Sequence, residues 1–277
     1  LGGPLPSLGV TVLTLLLTLL VAQAEEPPPI PAEARVVKVY DGDTVTLENG
    51  DKVRLRWVNT PEKRPPEPFW EEAKQVAERV VLGRTVKLLV TGEDARDGYG
   101  RIVAGLDNGR DNLSIELLEA GYAHVFIIPP EPEDITPFLQ AQEVARSRLR
   151  GIWSTERYQG ALHITSFHAD ARGDDEQNVN GEYMRVCNVT PNPVDVQGYT
   201  LTTLGGRTFV LPSLVIPAGH TVMIHSGRGE HQRDPAKQLS IYLGEGSPVW
   251  DNKHDKATLL SPSGDVVDAV LHKVKSD

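Results

Sequence analysis

Apolar residues alternate in short runs over the first half of the chain, then recur at helical spacing. Arg35 to Glu48 (RVVKVYDGDTVTLE) is two β-branched runs interrupted by Asp41-Gly42-Asp43. Asn49-Gly50-Asp51 follows, then a third run from Lys52 to Val58. Asn-Gly between alternating runs predicts a hairpin, because the tight turn needs positive φ. Past Thr60-Pro61-Glu62 and a loop over Lys63 to Pro68, Trp70, Ala73, Val76, Ala77 and Val80 fall at helical spacing. They predict a helix over Trp70 to Leu82, stopped by Gly83.

Further strands are expected at Thr85 to Val90 and Ile102 to Leu106, joined by the turn-rich loop Asp94 to Arg101 (DARDGYGR). Helices are expected at Leu113 to Ala120, closed by Gly121, and at Phe138 to Leu149. Strands first and helices interleaved later read as α+β. The texture changes after Trp153. Ser154 to Ala161 (STERYQGA) reads as a linker, and short strand-like runs with Gly, Pro and Asn breaks follow, among them Met184 to Val186, Thr221 to Ile224 and Val266 to Val270. Such spacing predicts an all-β sandwich.

The N-terminus has its own pattern. Val10 to Val21 is an apolar run of 12 residues followed by Ala22-Gln23-Ala24, which fits the core and cleavage site of a signal peptide. It is short for a membrane span, so no stable span is expected in the mature chain; an uncleaved anchor is the alternative, since no Lys or Arg precedes the run. The expected organisation is a signal peptide at 1–24, a proline-rich spacer at 25–33, a first domain at 34–154, a linker at 155–161 and a sandwich at 162–277. The product is expected to be secreted, periplasmic or associated with the cell envelope.

The formal net charge of -10 argues against a broad cationic surface that holds nucleic acid non-specifically. Any phosphate contact must therefore be local. A single cysteine, Cys187, excludes an internal disulfide and a cysteine-based zinc site, and is expected to be a small buried hydrophobe. His220, His225 and His231 lack a recognised ligand spacing, and Asp170, Asp174 and Asp175 read as an acidic turn.

The first domain offers Asp43 and Glu62 at strand ends, Arg54 and Arg101 at ordered positions, and one histidine, His124. Oxygen ligands with arginines suit a hard cation and a phosphate. Each residue also has a plainer reading: Asp-Gly-Asp alone is more often a solvated turn, and the arginines alone are surface charges.

Taken together and in order, Asp41-Gly42-Asp43-Thr44, Arg54, Thr60-Pro61-Glu62 and Asp97-Gly98-Tyr99-Gly100-Arg101 resemble the staphylococcal nuclease (thermonuclease) family. The likeness runs through Asn112 to Val125 and ends on Gly151-Ile152-Trp153-Ser154. It implies an OB-fold-like five-stranded β-barrel with three helices, and a Ca²⁺-dependent nuclease acting on DNA and RNA that leaves 3′-phosphates. It assigns Asp43, Asn59 and the Thr60 carbonyl to the metal, Glu62 to the attacking water, Arg54 and Arg101 to the phosphoryl charge, and Tyr99 to the nucleotide. Asn59 departs from the family's aspartate, which implies weaker calcium binding. Phe126 stands where the family has tyrosines, and either stacks on a base or belongs to the core.

The second half resembles the lamin-tail domain, an immunoglobulin-like sandwich. The resemblance rests on Asn180-Gly181-Glu182-Tyr183, Gly198-Tyr199-Thr200-Leu201, Ile216-Pro217-Ala218-Gly219 and Val249-Trp250-Asp251-Asn252, and it names no ligand. A monomer is expected. Two other functions compete with the nuclease: a catalytically silent nuclease-like module that binds nucleic acid or protein, and an envelope-associated protein that binds through its sandwich. The retention of Arg54, Glu62 and Arg101 favours the enzyme.

Overall fold

Burial alternates along the first strands because one face of each turns inward to a shared core, and these strands close into a barrel. The structure is a computed structural model that describes residues 3, 28–91 and 95–273. The apolar run at 10–21 and its cleavage site lie outside the described residues. The first domain runs β1 (Glu33–Val39), β2 (Thr44–Leu47), β3 (Lys52–Leu55), β4 (Val58–Asn59), α1 (Trp70–Val81), β5 (Thr85–Leu89), β6 (Ile102–Asp107), α2 (Leu113–Ala120), β7 (His124–Val125) and α3 (Thr136–Arg146). The barrel order is β1-β2-β3-β6-β5, closed by β1 on β5. Only β3 and β6 pair in parallel within it.

The expected strand from Lys52 to Val58 is broken. Arg56 and Trp57 interrupt it, with Trp57 at φ 64, so β4 leaves the barrel and pairs with β7. A buried arginine accounts for the break: Arg56 donates to the carbonyls of Thr91 at 2.7 Å and Pro130 at 3.3 Å. The third helix ends three residues before the expected Leu149. Leu149 takes φ 50 and Gly151 φ 54, and Ile152 N donates to Gly121 O at 2.9 Å, which ties the chain after α3 to the end of α2. A Cβ on Gly151 would overlap that Gly121 carbonyl.

The second domain comprises β8 (Leu162–His168), β9 (Tyr183–Asn188), β10 (Val194–Asp195), β11 (Thr200–Thr202), β12 (Thr208–Val210), β13 (Val215–Ile216), β14 (Thr221–His225), β15 (Leu239–Tyr242), β16 (His254–Leu260) and β17 (Val266–Lys273). Two four-stranded sheets, β12-β11-β16-β17 and β15-β14-β9-β8, enclose one apolar core that includes Met184, Val186, Ile224, Leu201 and Leu259. The fold is thus a five-stranded barrel with three helices followed by an immunoglobulin-like sandwich.

The segment expected to be a linker is folded. Glu156–Tyr158 is a 3-10 turn, and Tyr158 is buried among Trp153, Cys187, Val189 and Ala145, a cluster drawn from both domains. Backbone bonds add to it: Ile127 N donates to Gly219 O at 2.7 Å, and Thr221 N to Ile127 O at 3.3 Å. Barrel and sandwich belong to one compact unit from Pro31 onward. The spacer likewise ends early, because Glu33 already pairs with Lys87 in the barrel. Among the described residues no helix is long and apolar enough to cross a membrane.

Candidate active site

The turn between β1 and β2 is shaped by its own acids. Asp43 N donates to Asp41 Oδ1 at 3.2 Å, and Tyr40 N to Thr44 O at 2.9 Å. Gly42 is required by close packing, since a Cβ there would stand 2.8 Å from both Ala73 Cβ and Thr60 Cγ2. The tight approach presses the turn onto α1 and onto Thr60. Thr60 answers by donating its backbone N–H and its hydroxyl to Asp43 Oδ2, each at 2.9 Å.

Arg54 follows from β3 register, directly opposite Thr44. Its Nη2 lies 3.2 Å from Asp43 Oδ2 and donates to Asn59 Oδ1 at 2.8 Å, while Nη1 donates to Val58 O at 3.0 Å. Asn59 therefore spends its amide oxygen on Arg54. Arg101 is set by the loop before β6, where Asp97 Oδ1 accepts from the amides of Tyr99 and Arg101 and Asp97 Oδ2 accepts from Arg101 Nε at 2.7 Å. Tyr99 is 79% exposed, and the Arg101 guanidinium lies 5.4 Å from its ring centre.

A cleft of about 620 Å³ gathers Arg54, Asn59, Glu62, Tyr99, Arg101 and Phe126. Asp43 and Thr60 lie beside it, in contact with Arg54 or with each other. Phe126 is half-buried, packed against the interdomain cluster, and it also lines the cleft. Arg56 also lines the cleft, as do Ser166, His168, Tyr183 and Arg185 of the sandwich. The sequence gives none of these five a role at the site, Tyr183 entering it only as a fold residue of the sandwich. Arg56 could have been suspected from the Arg-x-Arg spacing with Arg54; the sandwich residues carried no local signal.

The acids crowd one another. Burial, then the neighbouring Asp43, raise the Asp41 carboxyl to about 6. Glu62 is an exposed residue at the cleft, yet partial desolvation of its carboxyl by the surrounding protein, followed by the charges of Asp43 and Asp41, pushes it up to about 7. Negative charge gathered in this way, with Asp43 beside both Asp41 and Glu62, forms a site where a divalent cation relieves repulsion. Asp41 and Asp43 with the Thr60 carbonyl suit an oxygen-preferring hard cation. Among the described residues no three His, Cys, Asp or Glu side chains meet as a metal group, so carbonyl, water or phosphate oxygens would complete the shell.

Residues 52–155 match the family model described as staphylococcal nuclease homologue, and residues 155–273 match the lamin tail domain. The chain is 34% identical over 148 residues to an uncharacterized protein of Methanocaldococcus jannaschii, covering 43% of this chain and 70% of that one. It is 32% identical over 148 residues to an uncharacterized endonuclease of Haemophilus influenzae, covering 52% and 76%. Against the thermonuclease of Staphylococcus intermedius the identity is 29% over 125 residues, covering 43% and 74%. The chain belongs to the staphylococcal nuclease family, and its nuclease domain is followed by a lamin tail domain.

Proposed function

We propose that the protein is a Ca²⁺-dependent nuclease that hydrolyses phosphodiester bonds of DNA and RNA, leaves 3′-phosphates and works outside the cytoplasm. The observation that carries this reading is the convergence of Arg54, Arg101 and Glu62 on one cleft beside the paired acids Asp41 and Asp43. Arg54 and Arg101 would bind phosphate oxygens and neutralise the charge that grows on the phosphoryl group, an effect strengthened by being fixed in advance. Both are prepared for this by their aspartates, Asp43 and Asp97, which hold them in place until a phosphate competes.

Glu62, raised to about 7, would orient a water molecule and accept its proton near neutral pH. A calcium ion held by Asp41, Asp43 and the Thr60 carbonyl, with Asn59 nearby, would supply Lewis-acid polarisation of a phosphate oxygen. Tyr99 and Phe126 offer ring surface for the adjoining nucleotide.

The test is incubation of the purified chain with denatured DNA and with RNA, with calcium or with EGTA, followed by end-group analysis. Calcium-dependent cleavage of both, leaving 3′-phosphates, is expected. A chain that cuts neither, or cuts equally well in EGTA, overturns the proposal. Processing behind Ala24 and recovery of the chain outside the cytoplasm are expected on expression; retention in the cytoplasm overturns the localisation.

A further inference from the structure

Alternation along β9 sends Met184 and Val186 into the sandwich core and turns Tyr183, Arg185 and Cys187 the other way. That outer face changes its task along the strand. At one end Cys187 and its register partner Thr221 reach the barrel, with Cys187 Sγ 3.3 Å from Val125 O and Thr221 Oγ1 donating to Ile127 O at 3.1 Å. At the other end Arg185 and Tyr183 pass beyond this contact and line the cleft that holds Arg54, Glu62 and Arg101.

The wall so formed has a definite chemistry. His168, Tyr183, His225 and Tyr242 occupy one cross-strand row, with ring centres 4.4, 6.0 and 4.9 Å apart. The cleft end of this row is His168 and Tyr183. Tyr183 lines the same cleft as the barrel's Tyr99: burial raises its phenol, Arg185 beside it opposes the rise, and Tyr99 adds to it.

Arg185 supplies the charge. Its Nη1 donates to Gln238 Oε1 at 2.6 Å and Thr221 Oγ1 at 3.2 Å, and its Nη2 stands 3.3 Å from Met223 Sδ. All three are neutral. Among the described residues no carboxylate forms an ion pair with Arg185, in contrast to Arg54 and Arg101 on the barrel side. A positioned guanidinium without a counter-charge, beside aromatic rings, suits a phosphate with its base.

We propose that the lamin tail domain forms the second wall of the substrate site, with Tyr183 and His168 against a base and Arg185 against a phosphate of a single-stranded nucleic acid. The inference rests on the nuclease reading and deepens it. A cleft of about 620 Å³ walled by both domains has room for a nucleotide of one strand between Tyr99 and Tyr183.

The experiment measures binding and cleavage of a fluorescent single-stranded oligothymidylate by the full chain, comparing wild type with Tyr183→Ala, Tyr183→Phe and Arg185→Gln after their folding is checked by circular dichroism. Tyr183→Ala should weaken binding about tenfold and raise KM more than it lowers kcat, and Tyr183→Phe should restore most of the loss. Arg185→Gln should reduce the salt slope of binding by about one phosphate contact. If Arg185→Gln does not fold, the two Tyr183 variants still decide the matter.

A folded Tyr183→Ala chain that binds the strand as wild type does overturns the proposal. Wild type that binds without cutting overturns the nuclease reading alone, while the Tyr183 comparison still supports or refutes the wall. Wild type that neither binds nor cuts overturns both.

Discussion

Arg157 Nη1 lies 2.9 Å from Glu67 Oε1, and this contact couples the sandwich to the loop that carries Glu62. Glu67 Oε2 accepts from the backbone N–H of Glu62 at 2.9 Å, and Arg157 Nε donates to Asp268 Oδ1 of β17 at 3.2 Å. Burial by itself would raise the Asp268 carboxyl, but His163, Arg157 and the Ile164 amide outweigh it and hold the group below its ordinary value. The candidate base is thus anchored from outside the nuclease domain.

Replacing Arg157 with methionine keeps much of the volume and removes both contacts. Asp268, fully buried, would keep His163 at 2.8 Å and Ile164 N but lose its guanidinium. A loss of about 2 kcal/mol is expected, a fall in melting temperature of about 5 °C. Cleavage should slow as well, because Glu67 is released. Thermal melting and steady-state kinetics check both, and an unchanged melting point would contradict the anchoring role.

Asn59→Asp should tighten calcium binding. The new carboxylate keeps an oxygen for Arg54 Nη2, now at 2.8 Å from the amide oxygen, and adds a negative charge near Asp43. The calcium concentration for half-maximal cleavage should fall about tenfold. Titration of activity against free calcium checks this, and an unaltered midpoint would show that Asn59 does not limit affinity.

The motif from Asp41 to Arg101 was legible because each part is local: the Asp-Gly-Asp turn bonds to itself, Asp97 folds its own loop, and Gly50 at φ 89 makes the expected hairpin turn. The barrel helices were legible for the same reason, since apolar spacing reports a buried face. What stayed hidden depends on distant partners. Arg157 looks like a polar linker residue until Glu67 and Asp268, 90 and 111 positions away, are brought to it. Tyr183 and Arg185 alternate as any strand does, and nothing local says that their outer face meets a second domain. The break at Trp57 escaped because the carbonyls that accept from Arg56, those of Thr91 and Pro130, lie far along the chain.

His124 sets a pH dependence. It is fully buried beside Tyr158, His163 and Phe126, and its ring Nε2 finds no hydrogen-bond partner. Burial, then the charges of His163 and, more weakly, Arg54, lower it from 6.5 to about 3, against a small opposing effect of the Val125 carbonyl. Between those values the unfolded chain binds a proton that the folded chain refuses, so stability falls as pH drops below 6.5, by at most about 1.4 kcal/mol per pH unit from this group. His124→Leu should flatten that part of the curve in denaturant titrations at several pH values. A variant with the wild-type pH profile would contradict the assignment.

In the proposed mechanism Glu62 acts on the attacking water beside a calcium site that does not need it. The most direct measurement compares calcium-dependent cleavage of denatured DNA by wild type and Glu62→Ser, with calcium affinity measured separately by calorimetry. Cleavage should fall by about two to four orders of magnitude, with calcium binding retained and wild-type activity abolished by EGTA. A Glu62→Ser chain that cuts at the wild-type rate, or wild-type cleavage that persists in EGTA, would rule out this mechanism.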